Sequence, residues 1–188
     1  MKKLNLTPLH DADKLVFPEE FDDLSLDSPA LNFVTDFKQH HPSILTASVS
    51  AMDAAQVLRT GHLTSVLVMD HRGDFIGLLT AEDVSHQRVM QYVAAGISRH
   101  ELTVGDLMRT RDRLQQLSFD ELKHASIRDV LGTLRRSGQR HCLVVDTDRH
   151  QVRGLISADE VAARLHMEFP IETPANIAEL LRSVTAMH

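Results

Sequence analysis

The chain has 188 residues and a formal charge of −6 at pH 7. That balance excludes a general affinity for nucleic acid, which rests on an excess of Lys and Arg. No apolar run approaches the roughly 20 residues that span a bilayer. The apolar and charged fractions, 43% and 24%, are those of a globular domain with a sizeable core.

Residues 1–33 carry Asp11, Asp13, Glu19, Glu20, Asp22, Asp23 and Asp27, with Pro8, Pro18 and Pro29 interrupting any helix. Interspersed Val16, Phe17, Phe21, Leu24 and Leu26 are too apolar for a solvated tail, so an irregular acidic arm that packs on the body or on a partner is expected. The two lysines after Met1 have no apolar stretch behind them that would make a signal peptide, so the expected location is cytoplasmic.

The first half opens at Val34-Thr35-Asp36-Phe37. Met52, Ala55, Val57 and Leu58 then predict a short helix from Ala51 to Leu58, ended by Gly61. Ser65-Val66-Leu67-Val68-Met69 is an apolar run of strand length, and His71-Arg72-Gly73-Asp74 supplies a turn before a second strand, Phe75 to Leu79. A helix from Ala81 to Ala95, stopped by Gly96, closes the unit.

The second half copies this order, with a helix from Ile127 to Arg136, strands at Cys142 to Val145 and Val152 to Ile156, and a helix from Ala158 to Met167. The octet Gly77-Leu78-Leu79-Thr80-Ala81-Glu82-Asp83-Val84 returns as Gly154-Leu155-Ile156-Ser157-Ala158-Asp159-Glu160-Val161, an offset of 77, identical or conservatively exchanged throughout. The same offset, without a gap, relates Gly61 to Gly138 and Val68 to Val145. Val34-Thr35-Asp36-Phe37 pairs with Val104-Gly105-Asp106-Leu107 at an offset of 70, which places seven extra residues between Arg113 and Ala125. After Pro170 and Pro174, Ile177, Leu180, Leu181 and Val184 predict a final helix from Asn176 to about Ala186. The expected architecture is α+β, two βαββα repeats with an arm (1–33), repeat one (34–99), repeat two (100–168) and a C-terminal helical extension (169–188). A unit of about 60 residues buries only about 60% of the surface its unfolded chain exposes, so each half gains by packing its apolar face on the other.

A glycine inside a strand pattern points to a close backbone or ligand approach. Thr80 and Ser157 stand where strand gives way to helix, the N-cap position, where free N–H groups and the helix dipole form an anion site. Asp83 and Glu160, three residues on, bring carboxylates suited to paired ribose hydroxyls. The same residues also read as helix caps: Ser157-x-x-Glu160 fits a capping box and Thr80-x-x-Asp83 a shorter version.

With Val104-Gly105-Asp106-Leu107-Met108 as a lead-in, this pattern resembles the CBS domain, named after cystathionine β-synthase, over residues 34 to 168. The resemblance implies a tandem pair about a pseudo-two-fold axis, with two symmetry-related clefts that in many members bind adenine nucleotides or adenosyl compounds, and frequent dimerisation into a disc. Carried over, Thr80 and Ser157 face phosphate and Asp83 faces ribose, with Glu160 in the place of the second aspartate. His141 and Arg153 are candidates for further phosphate contacts. Of the two clefts, the one around Thr80 and Asp83 fits the family pattern better. The expected function is a stand-alone regulatory module that binds AMP, ADP, ATP or S-adenosyl methionine, acts as a homodimer on an unknown effector protein, and has neither catalytic nor metal site. The alternative is a ligand-free dimeric scaffold. The scattered histidines lack metal-site spacing, and no nucleophile elbow, phosphate-binding loop or dinucleotide fingerprint occurs. The lone Cys142, within an apolar run, is expected as a reduced core residue.

Overall fold

The computed structural model describes residues 24–167; the predicted C-terminal helix and most of the acidic arm lie outside them. Eight strands and six helices follow in order: β1 Thr35–Asp36, β2 Ile44–Thr46, α1 Ala51–Thr60, β3 Ser65–Met69, β4 Phe75–Thr80, α2 His86–Ala94, α3 Val104–Leu107, β5 Arg109–Thr110, β6 Gln116–Ser118, α4 Phe119–Leu122, α5 Ile127–Ser137, β7 His141–Asp146, β8 Gln151–Ser157 and α6 Ala158–Arg164. They form two four-stranded sheets, ordered β2-β3-β4-β5 and β1-β8-β7-β6.

The apolar runs that predicted strands lie in β3, β4, β7 and β8, and both faces of each run are used. Val66, Val68 and Leu79 point into one core beneath α1. Cys142, Val144 and Ile156 point into a second beneath α5 and α6. The alternate residues Leu67, Leu78 and Leu143 meet in a third cluster, with Leu155 and Phe75 against it, that joins the two sheets. A strand covered on both sides reads as a continuous apolar run, as these do.

Each lead-in strand belongs to the other repeat's sheet. β1 pairs antiparallel with β8 through Thr35↔Leu155 and Asp36↔Gly154. β5 pairs with β4 through Leu78↔Arg109 and Gly77↔Thr110. The two octet glycines are explained by this exchange. A Cβ on Gly77 would stand 2.5 Å from the Arg109 carbonyl oxygen, and one on Gly154 would stand 2.8 Å from that of Thr35. The approach anticipated from a glycine within a strand is therefore by backbone, from the opposite repeat.

The exchange corrects the sequence alignment of the lead-ins. Thr35 corresponds to Arg109 and Asp36 to Thr110, an offset of 74, and the counterpart of α3 is the 3₁₀ turn Ala30–Phe33, not Val34 to Phe37. Residues 24–33, assigned to the arm, include Ala30 and Phe33, which are buried in the core of repeat two. The gapless offset of 77 is also corrected. The N-caps Ser50 and Ser126 and the strand residues Val68 and Val144, each opposite its octet glycine, are related by 76. The left-handed residue after α5 is Gly138 (φ 66°), matched after α1 by His62 (φ 50°), not by Gly61. The offset rises from 72 between β2 and β6 to 76 at the N-caps. Four extra residues, not seven, thus enter repeat two there, and they are accommodated by α4.

Two helix boundaries also move. After the first octet the chain forms a turn, and α2 begins only at His86 with Ser85 as its N-cap, accepting from Arg88 N–H at 3.3 Å. Thr80 therefore caps no helix. α6 starts as predicted, with Ser157 as N-cap, but ends at Arg164.

Candidate functional site

The exchange of lead-ins creates two clefts, each between one repeat's octet and the other's lead-in. The first, about 650 Å³, runs between the Leu31–Asp36 stretch and Glu160 and Arg164. The second, about 590 Å³, runs between Gly105–Thr110 and Asp83 and Gln87. Their linings correspond position by position at the offsets above: Asp36 with Thr110, Gln39 with Arg113, Glu160 with Asp83, Arg164 with Gln87. A pseudo-two-fold axis thus relates them.

Thr80 and Asp83 close on each other at the edge of the second cleft. Thr80 N–H and Oγ1–H both donate to Asp83 Oδ2, at 2.9 and 2.7 Å, and Asp83 N–H donates to Thr80 Oγ1 at 3.3 Å. Both residues are buried, and the other carboxylate oxygen lies 3.6 Å from Arg109 Nε on β5. The same reciprocal box forms at Ser126 and Asp129, where it caps α5. The Thr/Ser-x-x-Asp spacing is therefore a turn-closing device in its own right.

The second octet is built differently. Ser157 Oγ accepts from Glu160 N–H at 3.4 Å, but the Glu160 carboxylate does not return to the N-cap amide. It crosses between repeats and accepts from Thr64 Oγ1 at 2.5 Å. Half of the predicted capping box is present, and its acid is an inter-repeat tie that lines the first cleft.

His141 lies in neither cleft. It sits at the start of β7 opposite Ser157 and lines a small central cavity of about 210 Å³, together with Thr64, Thr80, Glu82, Arg140 and Asp159. Neither ring nitrogen has a hydrogen-bond partner among the described residues. Burial pushes the imidazole down to about 4; nearby Asp159 opposes the shift and Arg109 adds to it. The ring is neutral at pH 7. Arg140 beside it forms an ion pair with Asp159.

Arg153, on β8, lines the first cleft. Its Nη2 and Nε donate to the two carboxylate oxygens of Asp36 at 3.0 and 3.4 Å, and its guanidinium lies 3.5 Å from the centroid of the Phe119 ring. These hydrogen bonds hold the Asp36 carboxyl below the usual carboxylate range, against the opposing effect of burial. Sequence reasoning singled out Arg153 but missed Asp36 and Phe119. Neither belongs to the octet, and the Asp36–Arg153 contact spans 117 positions.

Among the described residues no group of three or more His, Cys, Asp or Glu could hold a metal ion, and no helix is long and apolar enough to cross a membrane.

Two βαββα repeats, exchanged lead-ins and a pair of dyad-related clefts define a tandem α+β module. Residues 34–89 match the CBS domain family model. The match covers the first repeat, and repeat two has the same fold in a sheet of its own. An uncharacterised conserved protein from Pyrococcus horikoshii is similar in structure at 14% identity and a TM-score of 0.56, over 78% of this chain and 98% of that one. A conserved CBS domain protein of unknown function from Thermoplasma acidophilum is similar at 18% identity and 0.50, over 81% and 77%. A CBS domain pair solved with 5′-methylthioadenosine and S-adenosyl-L-methionine is similar at 15% identity and 0.50, over 72% and 98%. At these identities the likeness concerns the fold. No curated protein matches the sequence.

Proposed function

We propose that this protein is a regulatory, non-catalytic module that binds an adenine nucleotide or related adenosyl compound in an inter-repeat cleft. The observation that carries this reading is the pair of clefts, about 650 and 590 Å³, within the range of about 300–1,000 Å³ that small-molecule sites occupy. Each has walls from both repeats, so a ligand that fits one arrangement of the repeats better than another biases their relative position, which is all that regulation by population shift requires. The pair of the same fold solved with 5′-methylthioadenosine and S-adenosyl-L-methionine supports the ligand class. Output passes to an effector protein through a homodimer; the exposure of Met52 and Val57 on α1 and of Met90 on α2 supports this assembly, and light scattering tests it.

The experiment is a thermal-shift panel of AMP, ADP, ATP, NAD, S-adenosyl methionine and 5′-methylthioadenosine. A ligand at 100 times its Kd stabilises by about 2.7 kcal/mol, which for a chain of this size is a rise of roughly 5–11 °C. Asp83→Ala assigns the second cleft: unchanged binding removes Asp83 from the ribose role.

A specific observation favours a second reading, the ligand-free scaffold. Thr80, Asp83, Asp36, Arg153 and Glu160 each already have a polar partner within the protein. A folded dimer that is silent to the whole panel establishes that reading instead.

A further inference from the structure

In the first cleft, Phe119, Arg153 and Asp36 form a layered assembly with no equivalent across the pseudo-dyad. The Phe119 ring covers one face of the Arg153 guanidinium at 3.5 Å. Asp36 holds the Nε–Nη2 edge with two hydrogen bonds. Across the pseudo-dyad the matching positions are Ile76, which packs on the core of repeat one, and Thr110, and Phe119 lies in the four-residue insertion that repeat one lacks. Repeat one builds its sheet without these three groups, so the fold does not demand them.

A guanidinium is planar, with two faces and a fork of donors. With one face on an aromatic ring and one edge on a carboxylate, Arg153 can neither rotate nor swing out to a phosphate. Neither contact uses the second face or the Nη1 corner. The side chain retains 19% exposure, and the residue lines the cleft.

We infer that Arg153 is a stacking platform in the first cleft, its free face receiving the flat heteroaromatic base of the ligand and extending the Phe119–Arg153 pile by one layer. This rests on the adenosyl-ligand reading above and assigns the base to one cleft. A cation over an aromatic face is attractive, and a plane already held in place loses little freedom when the base arrives. Arg153 thereby changes role, from an expected phosphate contact to a surface that recognises the base whatever the 5′ group.

The probe is 5′-methylthioadenosine, whose 5′ substituent carries no charge. Calorimetric titration of the full chain gives its affinity for wild type, Arg153→Lys, Phe119→Leu and Arg72→Ala. Arg153→Lys keeps a cation for Asp36 but removes the plane, and weakens binding about tenfold. Phe119→Leu, which leaves the Asp36 pair intact, weakens it in the same direction and serves if the lysine variant does not fold. Arg72→Ala, in the exposed turn after β3 and in the lining of neither cleft, binds as wild type, and intermolecular NOEs connect the adenine protons to Arg153. Binding unaltered in both Arg153→Lys and Phe119→Leu overturns the platform and leaves the proposed function standing. If wild type binds neither 5′-methylthioadenosine nor any member of the panel, the functional reading and the platform fall together.

Discussion

Replacing Gly77 by alanine tests the exchange of lead-ins at its tightest point. The new methyl carbon stands 2.5 Å from the Arg109 carbonyl oxygen and 2.9 Å from Met108 Sδ. The thioether can swivel away; the carbonyl belongs to the two-residue strand β5, which can retreat only by giving up its pairing with β4. Overpacking of this kind costs about 1–3 kcal/mol, and each weakened ladder hydrogen bond adds about 0.5–1.5 kcal/mol. Alanine returns roughly 0.5–1 kcal/mol by restricting the unfolded chain. The net expectation is a loss of about 2 kcal/mol, or a Tm lowered by roughly 4–8 °C, measured by calorimetry. Amide exchange accelerates at Arg109 and Thr110 on β5, in the opposite repeat, and not at Thr35 and Asp36 on β1. Gly132→Ala is the control. Its methyl meets only the flexible end of Arg136 within α5, and it stabilises by about 0.5–1 kcal/mol. A Gly77→Ala protein whose Tm stays within a degree of wild type refutes the reasoning.

Two further predictions concern buried titratable groups. His141 has a folded pKa lowered to about 4 from an ordinary 6.5, so the unfolded chain binds the extra proton first; its contribution is complete above pH 6.5 and is lost as pH falls towards 4. The loss amounts to about 3 kcal/mol at one pKa unit per 1.36 kcal/mol. His141→Leu flattens stability between pH 6.5 and 4 in urea titrations, and an unchanged acid limb contradicts the burial argument. Burial pushes the Cys142 thiol up to about 11, leaving almost no thiolate at neutral pH. A colorimetric disulfide reagent therefore labels Cys142 only after unfolding, and rapid labelling of the folded protein shows that the core around β7 opens.

Much of the fold was legible because it is written locally. β3 begins and ends where its apolar run does, α1 and α5 follow from helical spacing, and the repeated octet announced the duplication. The candidate site was half legible. Thr80, Asp83 and Glu160 were found through their spacing, and that spacing proved equally able to close a turn, as Thr80 and Asp83 do, or to send a carboxylate across to Thr64, as Glu160 does. Local spacing is the same in both cases; the partner that competes for the carboxylate comes from elsewhere in the chain.

By itself the amino-acid sequence determined two βαββα repeats, since strand runs, helix faces and caps depend on neighbours a few positions away. Only the tertiary structure decided that each lead-in crosses to the other repeat's sheet, that the repeats are offset by 74, 72, 76 and 77 in turn, and that α2 waits until His86. It also brought Asp36, Phe119 and Arg153 together in one cleft. These outcomes rest on contacts between residues as far apart as Thr35 and Leu155, which are 120 positions apart. Such contacts are selected by the packing of whole sheets on one another, for which periodicity along the chain carries no signal.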